Sequence, residues 1–381
     1  MMRGAVFTAI RQPLVIADLQ LDALLPHEVR VRVAASSLCH SDMHMMSGQL
    51  PQPVPSVLGH EVAGIVIEVG GQVQSVAVGD HVVCCASVFC GQCSPCLGGH
   101  ANRCEARPAR SPGNSAIRFA SDGAAMNQHV AIGGFAEEML LHENAVVRVP
   151  RALPFEKGAL LGCGVMSGVG AVINAAKVNP GSSVAIVGAG GVGLNVIQAA
   201  RIAGAAQIVA IDMNEEKLAL AQRLGATDVF LSGTDIVETV RQATGGGVDF
   251  AFEVVGLKQT IEDAIRMMRP GGTMTVVGLT GKDISFSVPG VLMMLNEWKV
   301  QGSRLGSGPF KRDIPILASL YLRGLLDLDS LIGEYIELDD INAGFDRMEC
   351  GAIGRSVILF PETYHMASVP LPAEAGVPNA K

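Results

Sequence analysis

Apolar and polar positions along the chain fall into three regimes, and each predicts a different kind of structure. In residues 1–150, short apolar stretches at 28–34, 61–69 and 81–85 are separated by Gly, Pro and polar turns, with no long helical periodicity. That pattern predicts a mostly-β region. From residue 181 to residue 279 the pattern switches: apolar runs at 184–187, 208–211, 248–253 and 273–277 alternate with amphipathic segments such as 214–224 and 258–268. Strand, helix and strand in repetition predict βαβ units on a parallel sheet. After residue 305 the pattern is mixed, with helices expected near 313–323 and 339–350 and a strand at 356–360. Residues 361–381, rich in Pro and Ala, read as a loosely held tail.

Two stretches without charge, residues 158–176 and 178–200, approach the length of a bilayer-crossing helix. The turn-forming Asn179-Pro180-Gly181 and the crowded Gly188, Gly190, Gly191 and Gly193 argue instead for a strand-to-helix turn. With 381 residues, 49% hydrophobic, 17% charged and 45 glycines, the chain has room for two domains and the composition of an α/β protein with buried strands. A net charge of -8 and the lack of a Lys/Arg run exclude a general nucleic-acid surface. Arg11 and Asp18 interrupt any signal-peptide core, so a cytoplasmic protein with no membrane or nucleic-acid partner is expected.

Cys90, Cys93, Cys96 and Cys104 follow the pattern C-x2-C-x2-C-x7-C. One tetrahedral zinc, ringed by four thiolates at about 2.3 Å, meets that spacing, and such a closed shell is structural because it leaves no position for water or substrate. Two disulfides would need an oxidising compartment. Iron–sulfur ligation, the other alternative, usually ends in a proline after the last cysteine or in a wider gap.

Gly188-Ala189-Gly190-Gly191-Val192-Gly193 matches G-x-G-x-x-G between a predicted strand and a predicted helix. There Gly188 makes the turn, Gly190 admits a pyrophosphate to the backbone, and Gly193 lets helix and strand pack closely. A second strand ends at Asp212, nineteen residues after Gly193, where a carboxylate can take the adenosine ribose hydroxyls. Asp212 would repel a 2′-phosphate, Met213 follows it where an Arg would serve NADP, and Glu215 and Glu216 add negative charge, so NAD is favoured. Lys217 either supports the ribose or belongs to a solvated helix face.

Three further residues, Cys39, His60 and Cys163, supply the donors of a catalytic zinc with one open position, although lone buried Cys and His residues are also ordinary packing residues. Here the chain resembles the zinc-dependent medium-chain alcohol dehydrogenases. The resemblance spans about residues 5–360 and rests on Cys39-His40-Ser41-Asp42-Met43-His44, Gly59-His60-Glu61, the four-cysteine loop and the glycine fingerprint, all in the family's order.

That resemblance implies a GroES-like, mostly-β catalytic domain of residues 1–163 completed by 305–360, with a Rossmann NAD-binding domain of doubly wound parallel sheet at 164–304. It implies two zinc ions per chain, the catalytic one on Cys39, His60 and Cys163, with Glu61 just behind or transiently on the metal and Asp42 orienting His60. It further implies an alcohol proton passing through Ser41 and the nicotinamide ribose to His44 and solvent, while hydride goes to NAD. Arg355 falls where the family often keeps a pyrophosphate-binding arginine, Val277 falls beside the cofactor, and a homodimer or homotetramer is expected.

Two departures shape the substrate expectation. His40 stands where many members carry an Arg against the pyrophosphate. Ala86 falls where the family often places a large aromatic residue, which implies a roomy pocket, lined also by Leu50, Val277 and Leu305, for bulky apolar or aromatic alcohols and aldehydes. Glutathione-dependent formaldehyde oxidation and polyol oxidation are the alternatives within the family.

Overall fold

A computed structural model describes residues 1–110 and 115–368. The chain divides into two units, one of residues 1–163 with 309–381 and the other of residues 164–308.

In the first unit, strands Met2–Phe7, Val15–Leu21, Ile117–Phe119, Ala125–Gln128 and Ser56–Val57 close a small barrel. A larger sheet runs in the order Val146–Arg148, His81–Cys84, Glu61–Val69, Glu28–Ser37, Arg355–Leu359 and Ile332–Ile336, with Glu138–His142 also paired to Glu28–Ser37. Strand Arg355–Leu359 lies antiparallel to Glu28–Ser37, so the two ends of the sequence share one sheet. The apolar stretch in residues 61–69 resolves as a strand of nine residues, buried along its first six.

The second unit is a six-stranded, all-parallel sheet in the order Asp228–Leu231, Gln207–Asp212, Ser183–Val187, Val248–Glu253, Met268–Val276 and Lys299–Gly302. Read by sequence this is the strand order 3-2-1-4-5-6 of a doubly wound dinucleotide fold, whose crevice lies at the carboxyl ends of the strands where the order reverses. One helix of this unit has its start set by a side chain. Asn214 caps Glu215–Leu224 by accepting from the amides of Glu216 (2.8 Å) and Lys217 (3.2 Å).

As expected, residues 178–200 form the strand Ser183–Val187, a glycine turn and the helix Gly191–Ile202; the first change from expectation is that Phe155–Ala176 is one apolar helix of 22 residues. By length and composition that helix could cross a membrane, but 72% of its apolar window is buried within the protein, as in a core helix. The second change is the boundary at residue 305, which moves to 309. The turn Leu305–Ser307 belongs with the second unit because Asn174 Nδ2 donates to the Gly306 carbonyl (3.0 Å), and a Cβ on Gly170 would meet that oxygen at 2.2 Å.

The third change concerns the tail, which is not loose from its start. Pro361–Met366 is a helix whose Tyr364 is 1% exposed and donates to Glu156 Oε2 (2.9 Å), while Thr363 Oγ1 donates to the Val33 carbonyl (2.7 Å). Residues 369–381 lie outside the described residues. Substituting Tyr364→Phe keeps the ring but strands the buried Glu156 carboxyl, so chemical denaturation should show a loss of about 1–3 kcal/mol.

Candidate active site

Cys39, His60, Glu61 and Cys163 come from segments distant in sequence, yet their donor atoms all lie within 4.8 Å of one another. Cys39 ends the approach to the helix His40–Met46 and His60 precedes the strand Glu61–Val69. Cys163 sits in a π-helical stretch, Leu161–Val165, a local widening that re-aims a side chain and is common at functional sites. Two glycines permit the approach. A Cβ on Gly162 would lie 2.1 Å from the Cys84 carbonyl, and Gly59, at φ +86°, passes against Phe135 while its amide donates to Asp42 Oδ1 (3.1 Å).

The cluster is dry and charged. Asp42 is fully buried, with Oδ1 3.4 Å from His60 Nδ1, an ion-pair separation at the long edge of hydrogen bonding. Burial alone would lower the His60 pKa, but Asp42 and Cys39 raise it well above the ordinary value. Cys39 is held well below the usual thiol range, first by a hydrogen bond from Cys163 and then by Arg355 and His60, whereas Cys163, the donor of that bond, is raised. Burial pushes Glu61 up to about 7 against the opposing pull of Arg355. Two sulfurs, an imidazole and a neighbouring carboxylate suit a borderline-soft divalent cation, for which donor separations of about 3.3–3.8 Å are required.

Arg355 belongs to this cluster. Its guanidinium donates to Glu61 Oε1 (3.2 Å) and to the Leu38 carbonyl (3.0 Å) and is buried with them. Sequence reading assigned it a phosphate and had no signal for Glu61, a partner 294 positions away.

Ser41 Oγ donates to Cys39 Sγ (3.2 Å) and stands 3.1 Å from His60 Nε2. His44, three residues on and hence on the same helix face, pairs through Nδ1 with Gln49 Oε1, a residue the motif reading overlooked. Leu50 is half-buried, its amide bonded to the His44 carbonyl (2.9 Å), and Ala86 is buried just beyond the strand His81–Cys84. His40 is exposed at the start of its helix. A buried histidine with no motif, His129, meets His60 edge to face at 5.3 Å, and burial lowers its pKa to about 4.

The four-cysteine loop forms a second cluster. Its sulfur separations include 3.3 Å for Cys93–Cys96, 3.8 Å for Cys93–Cys104 and 4.0 Å for Cys90–Cys96. A tetrahedral four-sulfur shell requires about 3.8 Å and a disulfide about 2.05 Å, so the arrangement fits a shared cation and not two bridges. Amide hydrogen bonds from Glu105 and Cys96 bring Cys93 down to about 6.

In the second unit Gly188 turns at φ +103°, and a Cβ on Gly193 would lie 1.8 Å from the Gly188 carbonyl, while one on Gly190 would meet nothing within 4 Å. Gly191 and Val192 open the helix Gly191–Ile202. Asp212 ties the loop to the neighbouring strand, accepting from the amides of Ala189 (2.8 Å) and Asn214 (3.0 Å). Lys217 lies in the first turn of the helix after Asp212, and Leu305 is half-buried in its turn. Val277 is also half-buried, its amide bonded to the Glu253 carbonyl (2.8 Å). The fully buried Glu253, unmarked by any motif, accepts through Oε1 from Val255, Gly256 and Thr260 and so braces the edge of this crevice.

The two glycines should separate stability from affinity. Gly193→Ala is expected to cost about 1–3 kcal/mol in denaturation. Gly190→Ala should change stability by less than about 0.5 kcal/mol yet markedly weaken binding of a reduced dinucleotide, followed by fluorescence titration.

Residues 25–151 match the alcohol dehydrogenase GroES-like domain, and residues 191–321 match the zinc-binding dehydrogenase family. Among solved structures, an alcohol dehydrogenase zinc-binding domain protein from Burkholderia ambifaria is 37% identical with a TM-score of 0.91, covering 94% of this chain and 99% of its own. Benzyl alcohol dehydrogenase from Acinetobacter calcoaceticus is 34% identical with a TM-score of 0.89 and the same coverage. A putative zinc-binding dehydrogenase from Sinorhizobium meliloti 1021, bound to NADP, is 26% identical with a TM-score of 0.80, again over 94% and 99%. The expected fold, a GroES-like domain joined to a Rossmann-type domain, is thereby established, and with it the general activity, that of an oxidoreductase of the zinc-dependent dehydrogenase type. The chain belongs to the zinc-dependent medium-chain alcohol dehydrogenase family.

Proposed function

We propose that the protein is an NAD-dependent zinc alcohol dehydrogenase that interconverts bulky apolar or aromatic alcohols with their aldehydes or ketones. The observation that carries this reading is the crowding of the Cys39, His60 and Cys163 donors, with Glu61, within 4.8 Å. In it these three residues hold a catalytic zinc and the four-cysteine loop holds a structural one. Zinc held there supplies the positive charge that brings deprotonation of an alcohol toward neutral pH.

The remaining steps fall to the chain's own side chains. Ser41 Oγ, 3.1 Å from His60 Nε2, would accept the alcohol proton as it passes its own on toward His44 by way of the nicotinamide ribose of a bound cofactor. His44 keeps Nδ1 on Gln49, so its Nε2 is left to receive the proton and release it to solvent. Asp42 holds the His60 ring, and Arg355 balances the charge of Glu61. As proton and hydride leave, the alcohol becomes a carbonyl compound, NAD supplying the hydride acceptor.

Support for NAD comes from Asp212, whose carboxylate is tied to the glycine loop through the Ala189 amide, with the exposed Met213 rather than an arginine directly after it. Support for aromatic substrates comes from the small Ala86 and from the benzyl alcohol dehydrogenase relative. All nine cysteines are free, which favours a reducing, cytoplasmic setting. Exposed Val291, Met294 and Leu295 on the helix Gly290–Leu295 favour a homodimer or homotetramer.

Elemental analysis should find two zinc ions per chain. Cys39→Ser should remove one of them and at least about 100-fold of the activity with little change in thermal stability, whereas Cys93→Ser should remove the other and lower the melting temperature. A substrate panel of short aliphatic, long aliphatic and benzylic alcohols, assayed with NAD and with NADP, tests the rest. Ala86→Phe should raise the KM of benzylic alcohols more than that of ethanol, and an equal rise for both would count against the pocket assignment.

A further inference from the structure

Beside the metal cluster, His129 is only 4% exposed. One of its ring nitrogens, one of His60's and a carboxylate oxygen of Asp42 lie within 4.8 Å of one another. The turn that carries His129 is held in an unfavourable shape, for Val130 and Ala131 follow at φ 47° and 59°, the left-handed region that residues with a Cβ avoid. Such conformations persist where the surroundings over-determine them, often at functional sites.

The tautomer of His129 is set from a distance. Ser56 Oγ donates to the Pro53 carbonyl, so it accepts from Gln52 Nε2 at 2.9 Å. This orients the Gln52 amide and obliges its Oε1 to accept from His129 Nδ1, 3.2 Å away. In the neutral ring Nε2 then carries a lone pair. Asp42 Oδ1 is bonded to the Gly59 amide and faces His60, whereas the buried Asp42 Oδ2 has no hydrogen-bond partner among the described residues. Asp42 and His129 thus each carry an acceptor in the small group they form with His60, in which one atom of each lies within 4.8 Å of the others, and the buried His60 Nδ1 likewise makes no hydrogen bond among the described residues.

We propose that His129 is a positioning residue for His60: together with Asp42 Oδ2 it holds one buried water, and this trio fixes the His60 ring so that Nε2 keeps its aim at the cation. A water needs two to four polar partners, and this group offers them. The Gln52–Ser56 relay is then the element that keeps the His129 lone pair turned inward. The inference rests on the reading of Cys39, His60 and Cys163 as metal ligands.

The test uses full-length protein exchanged with cobalt(II), the Cys39 site being read from its difference spectrum against Cys39→Ser. Measurements are the visible band, the half-time of metal loss to a chelator, and kcat and KM for benzyl alcohol. His129→Phe retains a ring but no lone pair. It should speed metal loss about tenfold, shift the cobalt band, and lower kcat while leaving the KM for NAD unchanged. Gln52→Leu, which does not touch the cluster, should move all three readouts the same way by less, and His129→Gln, which restores an acceptor, should bring them back toward wild type. If His129→Phe and Gln52→Leu lower only the melting temperature and leave the cobalt band and the release half-time at wild-type values, the proposal is overturned. A wild-type protein that binds no metal at Cys39 would overturn the metal reading itself, and the control alone reports that result.

Discussion

Charge brought out of water in a confined space is the constraint around which the first unit is arranged. Cys39, His60, Glu61 and Cys163 crowd within 4.8 Å, with Asp42 and Arg355 buried against them. An isolated buried ion is expensive, and the cost is offset only by close opposite charge and satisfied hydrogen bonds. The Gly59 amide on Asp42, the Leu38 carbonyl on Arg355 and the Ser41 hydroxyl on Cys39 are such compensations. Each requires a particular backbone path, and so the π-helical stretch at Cys163 and the glycines at 59 and 162 belong to the chemistry as much as the donors do.

The second unit solves a different problem, with backbone first and two carboxylates in support. A parallel sheet delivers Val187, Asp212 and Glu253 to one end of neighbouring strands, and the turn after Val187 is so tight that Gly193 tolerates no side chain. Two buried or half-buried carboxylates then serve as local scaffolding. Asp212 accepts amides on both sides of the glycine turn, and Glu253 gathers those of Val255 and Gly256 with the hydroxyl of Thr260. The result is a stiff crevice edge with an open approach at Gly190.

What the sequence revealed and what it concealed follow from the range of the forces involved. Strands such as Glu61–Val69 and Val248–Glu253, and the helix Glu215–Leu224, were readable because apolar runs and amphipathic spacing act between near neighbours. The cysteine loop and the glycine turn were readable for the same reason. The pairing of Arg355 with Glu61, the anchoring of Tyr364 on Glu156, the attachment of the 305–307 turn to the second unit and the link from Gln52 to His129 depend on tertiary packing, which no local pattern encodes. Composition even misdirected the reading of residues 361–366, where one buried tyrosine outweighs a run of weak signals.

Strand Arg355–Leu359, part of the central sheet of the first unit, is separated by the whole of residues 164–308 from Glu28–Ser37, one of the two strands it pairs with. As the polypeptide leaves the ribosome, every strand of the contiguous parallel sheet is available before that last piece emerges. The unit at the amino terminus is therefore the one that finishes late: its half-built sheet must wait with an unpaired edge, and the arginine that neutralises Glu61 is among the final arrivals. Completion of the first unit's sheet depends on the last strand to be synthesised, a cost of interrupting one domain with another.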